Sequence, residues 1–246
     1  MSIPNVYKKG TFGKKLLYWQ LLPAQKDTSV YFVFFHGTYG TSFKRKYQLL
    51  AEKITNANLG NVFLFETSRH VYTFEDAYTQ YSREAYEETF AGKTFQDELA
   101  DVKAIFTHLT TLAPQNATYH FIGSSLGGTL CSFLSNDEHV ASLLLLGSGV
   151  STKRPHAPVL KGYPPKQTIL DNFDKFKGKL SLIQGTLDTV VPLQEAREII
   201  LTPTHPIRKE LTIIKGLDHS FGLMDGKKDD TLLTQIVFPK LETLCK

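Results

Sequence analysis

The stretch His120-Phe121-Ile122-Gly123-Ser124-Ser125-Leu126-Gly127-Gly128 sets a G-x-S-x-G pattern between an apolar strand-like run and an apolar helix-like run. A serine hydroxyl is a poor nucleophile until a base takes its proton and donors stabilise the oxyanion that follows. A sharp strand-to-helix turn meets both needs. It strains its central residue, leaves it projecting, and requires nearly bare residues two places to either side. Gly123 and Gly127 supply the bare positions and Ser125 the hydroxyl, while Leu126, opening the helix, offers an N–H to the oxyanion. Ser124 stands in the wrong position for that role. The pentapeptide alone is weak, because small residues gather in ordinary turns. Its flanks, Thr118 to Ile122 before and the Leu126, Leu130, Phe133 and Leu134 face after, give it context.

Such a serine needs a base, and the base needs an acid to orient it. Both residue types follow at the ends of strand-like runs. Leu180 to Gln184 leads into Gly185-Thr186-Leu187-Asp188, and Leu211 to Lys215 leads into Gly216-Leu217-Asp218-His219. His219 is the expected base and Asp188 its acid. Two competing readings stand beside this one: Asp188 as a cap for a helix starting near Leu193, and the adjacent Asp218 as the acid. Asp171 and Asp174 precede their strand and fall at the wrong edge of a parallel sheet. The second oxyanion donor is expected from His36-Gly37-Thr38-Tyr39-Gly40, as the backbone N–H of Thr38, with His36 a structural residue of that loop. The remaining histidines have no cysteine or carboxylate partners at metal spacing, so no metal and no cofactor are expected.

The elements that must hold these residues alternate in type. Strands are predicted at Val30 to Phe35, Asn61 to Phe65, Thr118 to Ile122, Ala141 to Leu146, Leu180 to Gln184 and Leu211 to Lys215, with helix-period segments between them. Such alternation predicts a mostly parallel sheet covered by helices on both faces. Lys15 to Leu22 reads as an edge strand pairing with the stretch around Val6 across a turn at Gly10 and Gly13. Tyr47, Leu50, Ala51 and Ile54 share one helical face, and Leu99, Val102, Phe106 and Leu109 another. A last helix is expected from about Asp230 to Leu244, with Leu232, Leu233, Ile236 and Val237 inward and Pro239 kinking it or ending its first part.

The segments F-F-H-G-T-Y-G, F-I-G-S-S-L-G-G, G-T-L-D-T-V-V-P and G-L-D-H-S-F, in the order Ser, Asp, His, resemble the α/β-hydrolase superfamily over nearly the whole chain. The resemblance implies a single α/β-hydrolase domain over residues 1–246, with Ser125 as nucleophile, Asp188 as acid, His219 as base, and Thr38 with Leu126 as oxyanion donors. It implies a serine hydrolase, an esterase- or lipase-like member cleaving carboxylic esters through an acyl-serine intermediate. Thioesterase, lactonase or amidase activity on the same triad, and a non-hydrolytic acyltransferase or binding role, are the alternatives.

Two connections are longer than a strand-helix unit needs. One, about residues 67–93, is rich in aromatics, with Phe74, Tyr78, Tyr81 and Ala85 on one helical face; it reads as an extra packing helix or as a pocket wall. The other, about 151–178, carries four prolines and reads as a small lid. Together they suggest a small-molecule ester with an apolar or aromatic group. With 246 residues, a net charge of +4 and two cysteines, the chain fits one globular α/β domain without a disulfide framework. Lys44-Arg45-Lys46 and Lys227-Lys228 read as solvated faces, so no nucleic-acid partner is expected. No run approaches the roughly 18 apolar residues of a membrane span, and no signal sequence is evident, so a cytoplasmic location is expected. Oligomeric state is left open by the sequence.

Overall fold

The computed structural model describes residues 5–13, 15–69, 91–151, 161–222 and 229–245. Among the described residues eight strands form one sheet: β1 (Asn5–Lys9), β2 (Leu16–Leu22), β3 (Val30–Phe35), β4 (Asn61–Glu66), β5 (Thr118–Ser124), β6 (Val140–Leu146), β7 (Lys179–Gly185) and β8 (Arg208–Ile214). The described residues also form six helices: α1 (Arg45–Asn56), α2 (Phe95–Leu112), α3 (Leu126–Leu134), α4 (Lys166–Lys175), α5 (Leu193–Leu201) and α6 (Leu232–Leu244). The spatial order is β1-β2-β4-β3-β5-β6-β7-β8. β2 runs antiparallel to both β1 and β4, and every pairing from β4 through β8 is parallel.

The two-residue period of a strand divides the core between the faces. On one face Tyr31, Val33 and Phe35 of β3 join a cluster built from α2, α3, α4 and α5. On the other, Phe32 and Phe34 pack among Tyr47, Leu50 and Ile54 of α1 and Leu233, Val237 and Leu241 of α6. A strand buried on both faces must be apolar throughout, which is why β3 reads Val-Tyr-Phe-Val-Phe-Phe.

Three expectations need correction or limits. Pro239 neither ends nor divides α6, which runs unbroken from Leu232 to Leu244. Its ring sits on the exposed side, where water can satisfy the carbonyl its missing N–H leaves free, while Val237 and Leu241 keep the helix on the core. Leu232 and Ile236 face inward as expected, half-buried and packed against the core of that face. β8 starts at Arg208, earlier than its apolar residues indicate, because its charged first residues are exposed at the edge of the sheet. The predicted helix through Phe74, Tyr78, Tyr81 and Ala85 lies outside the described residues, as does 152–160 of the second connection. The described remainder of that connection contains α4, whose Ile169, Leu170 and Phe173 are buried in the main core.

Register brings the site together. Phe35 pairs with Gly123, Ser124 with Leu146, Leu146 with Ile183, and Gly185 with Ile214. The carboxyl ends of β3, β5, β7 and β8 therefore finish along one edge. Chain direction across the sheet switches between β3 and β5, where open α/β sheets form their ligand crevice.

Candidate active site

Ser125 sits between β5 and α3 with φ 52° and ψ −118°, a conformation that costs a residue with a side chain roughly 1 to 3 kcal/mol. Packing enforces it. A Cβ on Gly127 would lie 2.0 Å from the Phe35 carbonyl oxygen, so only glycine lets α3 approach β3 this closely. Backbone bonds lock the turn, from Ser125 N–H to Leu146 O at 2.9 Å and from Gly128 N–H to Ser125 O at 2.9 Å.

The Ser125 hydroxyl oxygen lies 3.1 Å from His219 Nε2, and His219 Nδ1 lies 2.8 Å from Asp188 Oδ2. Asp188 is held as a carboxylate. Burial alone would raise its pKa, but the bond from His219 and the N–H groups of Val191 and Val190 outweigh burial and hold it below the usual value. Those two amides donate to Oδ1 at 2.8 and 2.9 Å, and Gln184 Nε2 donates to Oδ2 at 2.8 Å. A carboxylate only accepts, so Nδ1 of a neutral His219 carries the proton and Nε2 presents its lone pair to Ser125. The dyad lies against Gly147, whose φ is +54°; a Cβ there would come 3.2 Å from Asp188 Oδ2 and 3.4 Å from His219 Nδ1.

The competing readings of the acids separate here. α5 is capped by Pro192 without a side-chain bond, so Asp188 does not cap it. Asp218 instead builds the loop that carries His219: its Oδ1 accepts from Gly222 N–H at 2.7 Å and its carbonyl from Phe221 N–H at 3.2 Å. Asp174 lies away from the site, accepting from Thr204.

Thr38 and Leu126 line the same cleft as Ser125 and His219. Neither of their N–H groups donates to a protein acceptor among the described residues. The cleft holds about 280 Å³. Its walls include Tyr39, Tyr47, Leu126, Val190 and Val191, together with Tyr163 from the second connection. Tyr163 OH lies 2.7 Å from Thr129 Oγ1, and burial pushes its pKa up to about 12.

Beneath the Thr38 loop lies a buried charge network that sequence reading missed. Arg69, 2 % exposed, donates from Nη1 to Gly37 O at 2.8 Å and also to Thr38 O. Its Nε donates to Glu98 Oε1 at 3.1 Å and its Nη2 to His36 Nδ1 at 3.0 Å. His36 Nδ1 stands between two groups that ask opposite roles of it: toward the Arg69 guanidinium it can only accept, and toward Gly37 O, 3.1 Å away, it can only donate, while Nε2 lies 3.3 Å from Glu66 Oε2. Burial, reinforced by Arg69, lowers the His36 pKa to about 3, so the ring is neutral. Glu66 Oε1 in turn accepts from Thr41 Oγ1 and Ser42 N–H, both at 2.6 Å. Farther in, Lys93 Nζ bridges Glu98 and Asp101, each at 2.8 Å. Burial would raise the Glu98 pKa, but Arg69 and Lys93 prevail and hold it at about 2. The Thr94–Asp97 capping box that starts α2 sets the helix phase that turns Glu98 and Asp101 inward. The available signal was charge balance: Arg69 and Lys93 against Glu98 and Asp101.

Lys44 and Arg45 are exposed, as a solvated face requires, with Arg45 pairing with Glu52 at 3.2 Å, and Lys44 together with the half-buried Lys46 also lines the cleft. Among the other histidines, His120 is buried with Nδ1 2.7 Å from Ser142 Oγ, and His108 stacks on Tyr7. His70 and His156 lie outside the described residues. No helix among the described residues is long and apolar enough to cross a membrane.

No protein-family profile matches the chain, and no curated protein sequence does so significantly. Solved structures do match. An α/β serine hydrolase homologue from Coxiella burnetii superposes with a TM-score of 0.66 at 16% identity, covering 98% of this chain and 96% of that one. Est1E from Butyrivibrio proteoclasticus, with ferulic acid bound, gives 0.67 at 15% identity over 93% and 95% of the two chains. The esterase domain of a Rhodothermus marinus protein gives 0.67 at 14% identity over 98% and 97%. With its strand order, its helices on both faces and these full-length superpositions, the chain has the α/β-hydrolase fold.

Proposed function

We propose that the protein is a serine hydrolase, an esterase- or lipase-like enzyme that cleaves carboxylic esters through an acyl-serine intermediate on Ser125. The observation that carries this reading is the hydrogen-bonded line from Asp188 through His219 to Ser125, at 2.8 and 3.1 Å, opening into a cleft. His219 takes the Ser125 proton as the oxygen attacks the ester carbonyl, and the N–H groups of Thr38 and Leu126 hold the resulting oxyanion. His219 then gives the proton to the departing alcohol, and water reverses the sequence to release the acid. Asp188 keeps the proton of His219 on Nδ1 and stabilises the imidazolium. Est1E with ferulic acid and the Rhodothermus esterase domain lend the ester class support. The tyrosines 39, 47 and 163 with Leu126, Val190 and Val191 suit an acyl or aromatic group. No cofactor is required, and the substrate is a small molecule.

A fluorophosphonate probe is expected to label Ser125, and Ser125→Ala is expected to fold normally while losing both labelling and ester turnover. Asp188→Asn should lower kcat by roughly 10³ to 10⁴ through loss of tautomer control, whereas Asp218→Asn should not approach that loss. Turnover persisting in Ser125→Ala would overturn the mechanism.

A further inference from the structure

Three consecutive cations, Lys44, Arg45 and Lys46, stand at the start of α1, where a helix ordinarily favours acidic residues. There is no acidic residue in its first turn and no side-chain cap. Arg45 is balanced by Glu52, but among the described residues Lys44 and Lys46 have no carboxylate at ion-pair distance. Lys46 Nζ donates to the carbonyl of Ser220, the residue after His219, at 2.9 Å, and stands 5.2 Å from the centre of the Tyr47 ring. Lys44 Nζ lies 3.4 Å from Tyr39 O in the loop that carries Thr38. One lysine is thus tethered beside the proposed base and the other beside the proposed oxyanion loop. The described residues of the cleft include no aspartate or glutamate. Glu66, whose charge Lys44 feels, is 1 % exposed and already accepts from Thr41 and Ser42. Lys44 is exposed as a residue, yet partial desolvation of its ammonium and then the neighbouring Lys46 lower its pKa from the ordinary lysine value, with Glu66 opposing them. Two cations facing one crevice with no carboxylate among its described lining residues repel each other, and an anion entering the crevice relieves that repulsion.

We propose that the ester cleaved at this site carries an anionic oxygen group such as a carboxylate, held by Lys44 and Lys46 at the cleft wall; this rests on the ester-hydrolase reading of Ser125. The anionic group takes no part in the bond changes at the ester carbonyl, so its contacts with the lysines are the same in ground and transition states. The preference therefore falls on KM and leaves kcat nearly alone.

Two matched substrate pairs test it with the intact protein. On the acyl side, 4-nitrophenyl hydrogen adipate is compared with 4-nitrophenyl hexanoate; on the alcohol side, the butyrate ester of 4-hydroxybenzoate with that of 4-hydroxybenzamide. In one pair the charged member is expected to have a kcat/KM about fivefold or more above its neutral partner, carried by KM. That ratio should shrink as salt is raised from about 0.02 to 0.5 M, and fall toward one in a Lys44→Met/Lys46→Met double variant. Should the double variant fold poorly, the salt series on the natural protein decides. Neutral esters turned over as well as charged ones in both pairs, or a preference insensitive to salt and to the double substitution, would overturn the inference and leave the ester reading standing. Failure of all four esters together with no fluorophosphonate labelling of Ser125 would overturn both.

Discussion

Replacing Arg69 tests how the loop that carries Thr38, the proposed oxyanion loop, is held. The side chain is 2 % exposed and donates to Gly37 O, Thr38 O, His36 Nδ1 and Glu98 at once. Arg69→Met strands two backbone carbonyls and one ring nitrogen, and leaves Glu98 with Lys93 and Thr67 alone. Removing one partner of a buried ion pair costs about 3 to 5 kcal/mol. For a domain of this size that lowers Tm by roughly 6 to 20 °C at about 2 to 4 °C per kcal/mol. Arg69→Lys keeps the charge but lacks the fork that spans the loop carbonyls and Glu98 together, so it isolates positioning from charge. One oxyanion donor is worth roughly 3 kcal/mol, about a hundredfold in kcat. A displaced Thr38 N–H forfeits part of that, so Arg69→Lys is expected to lower kcat about 10- to 100-fold with KM within about twofold. The assay is steady-state turnover of an aryl ester at least about 15 °C below the variant's own Tm, measured beside thermal unfolding. A folded Arg69→Lys enzyme with lowered Tm and undiminished kcat would refute the positioning role and leave Arg69 a stability residue only.

Gly147→Ala probes the back of the dyad: its Cβ would come 3.2 Å from Asp188 Oδ2 at a φ of +54°. It should lower kcat about tenfold or more while circular dichroism still reports a folded chain; full activity would mean the dyad shifts freely. Acid should weaken the fold through His36 and His120, both buried, because their folded pKa values lie below the unfolded 6.5, at about 3 for His36 and about 4 for His120. Burial is the leading cause for both, so the unfolded chain takes up protons that the folded chain refuses. The stability they confer is full above pH 6.5 and declines below it, by roughly 1.4 kcal/mol per pH unit for each histidine. The decline from His120 should flatten near pH 4. Urea unfolding midpoints between pH 7 and 4 measure this, and a His120→Gln variant with an unaltered slope would refute the assignment for His120.

The parts of the molecule legible in its sequence are those with local signals. β3 was predictable to the residue because a strand buried on both faces must be apolar throughout, and nothing but strand accommodates Val30 to Phe35 at that length. The turn at Ser125 was legible because steric crowding dictates glycine at position 127, where a Cβ would press on the Phe35 carbonyl. Asp188 and His219 followed from topology, since parallel strands end along one edge whatever their separation in sequence. Pro239 misled because proline's cost depends on which face of the helix it occupies, and α6 buries Val237 and Leu241 while leaving the proline ring outside.

Charged residues misled more deeply, and for a reason that bears on function. Arg69, Lys93, Glu98 and Asp101 have no period that marks them as buried; only their mutual neutralisation makes burial tolerable, and that is a property of the folded neighbourhood. Lys46 reaches Ser220 across a separation of 174 residues, so nothing in the run Lys44-Arg45-Lys46 distinguishes a cleft wall from a solvated face. The chemistry of the site is written in short motifs because a strained turn and a hydrogen-bonded dyad impose residue types locally. The proposed selectivity depends instead on which distant charges the fold sets beside that chemistry without a carboxylate partner among the described residues, here Lys44 and Lys46.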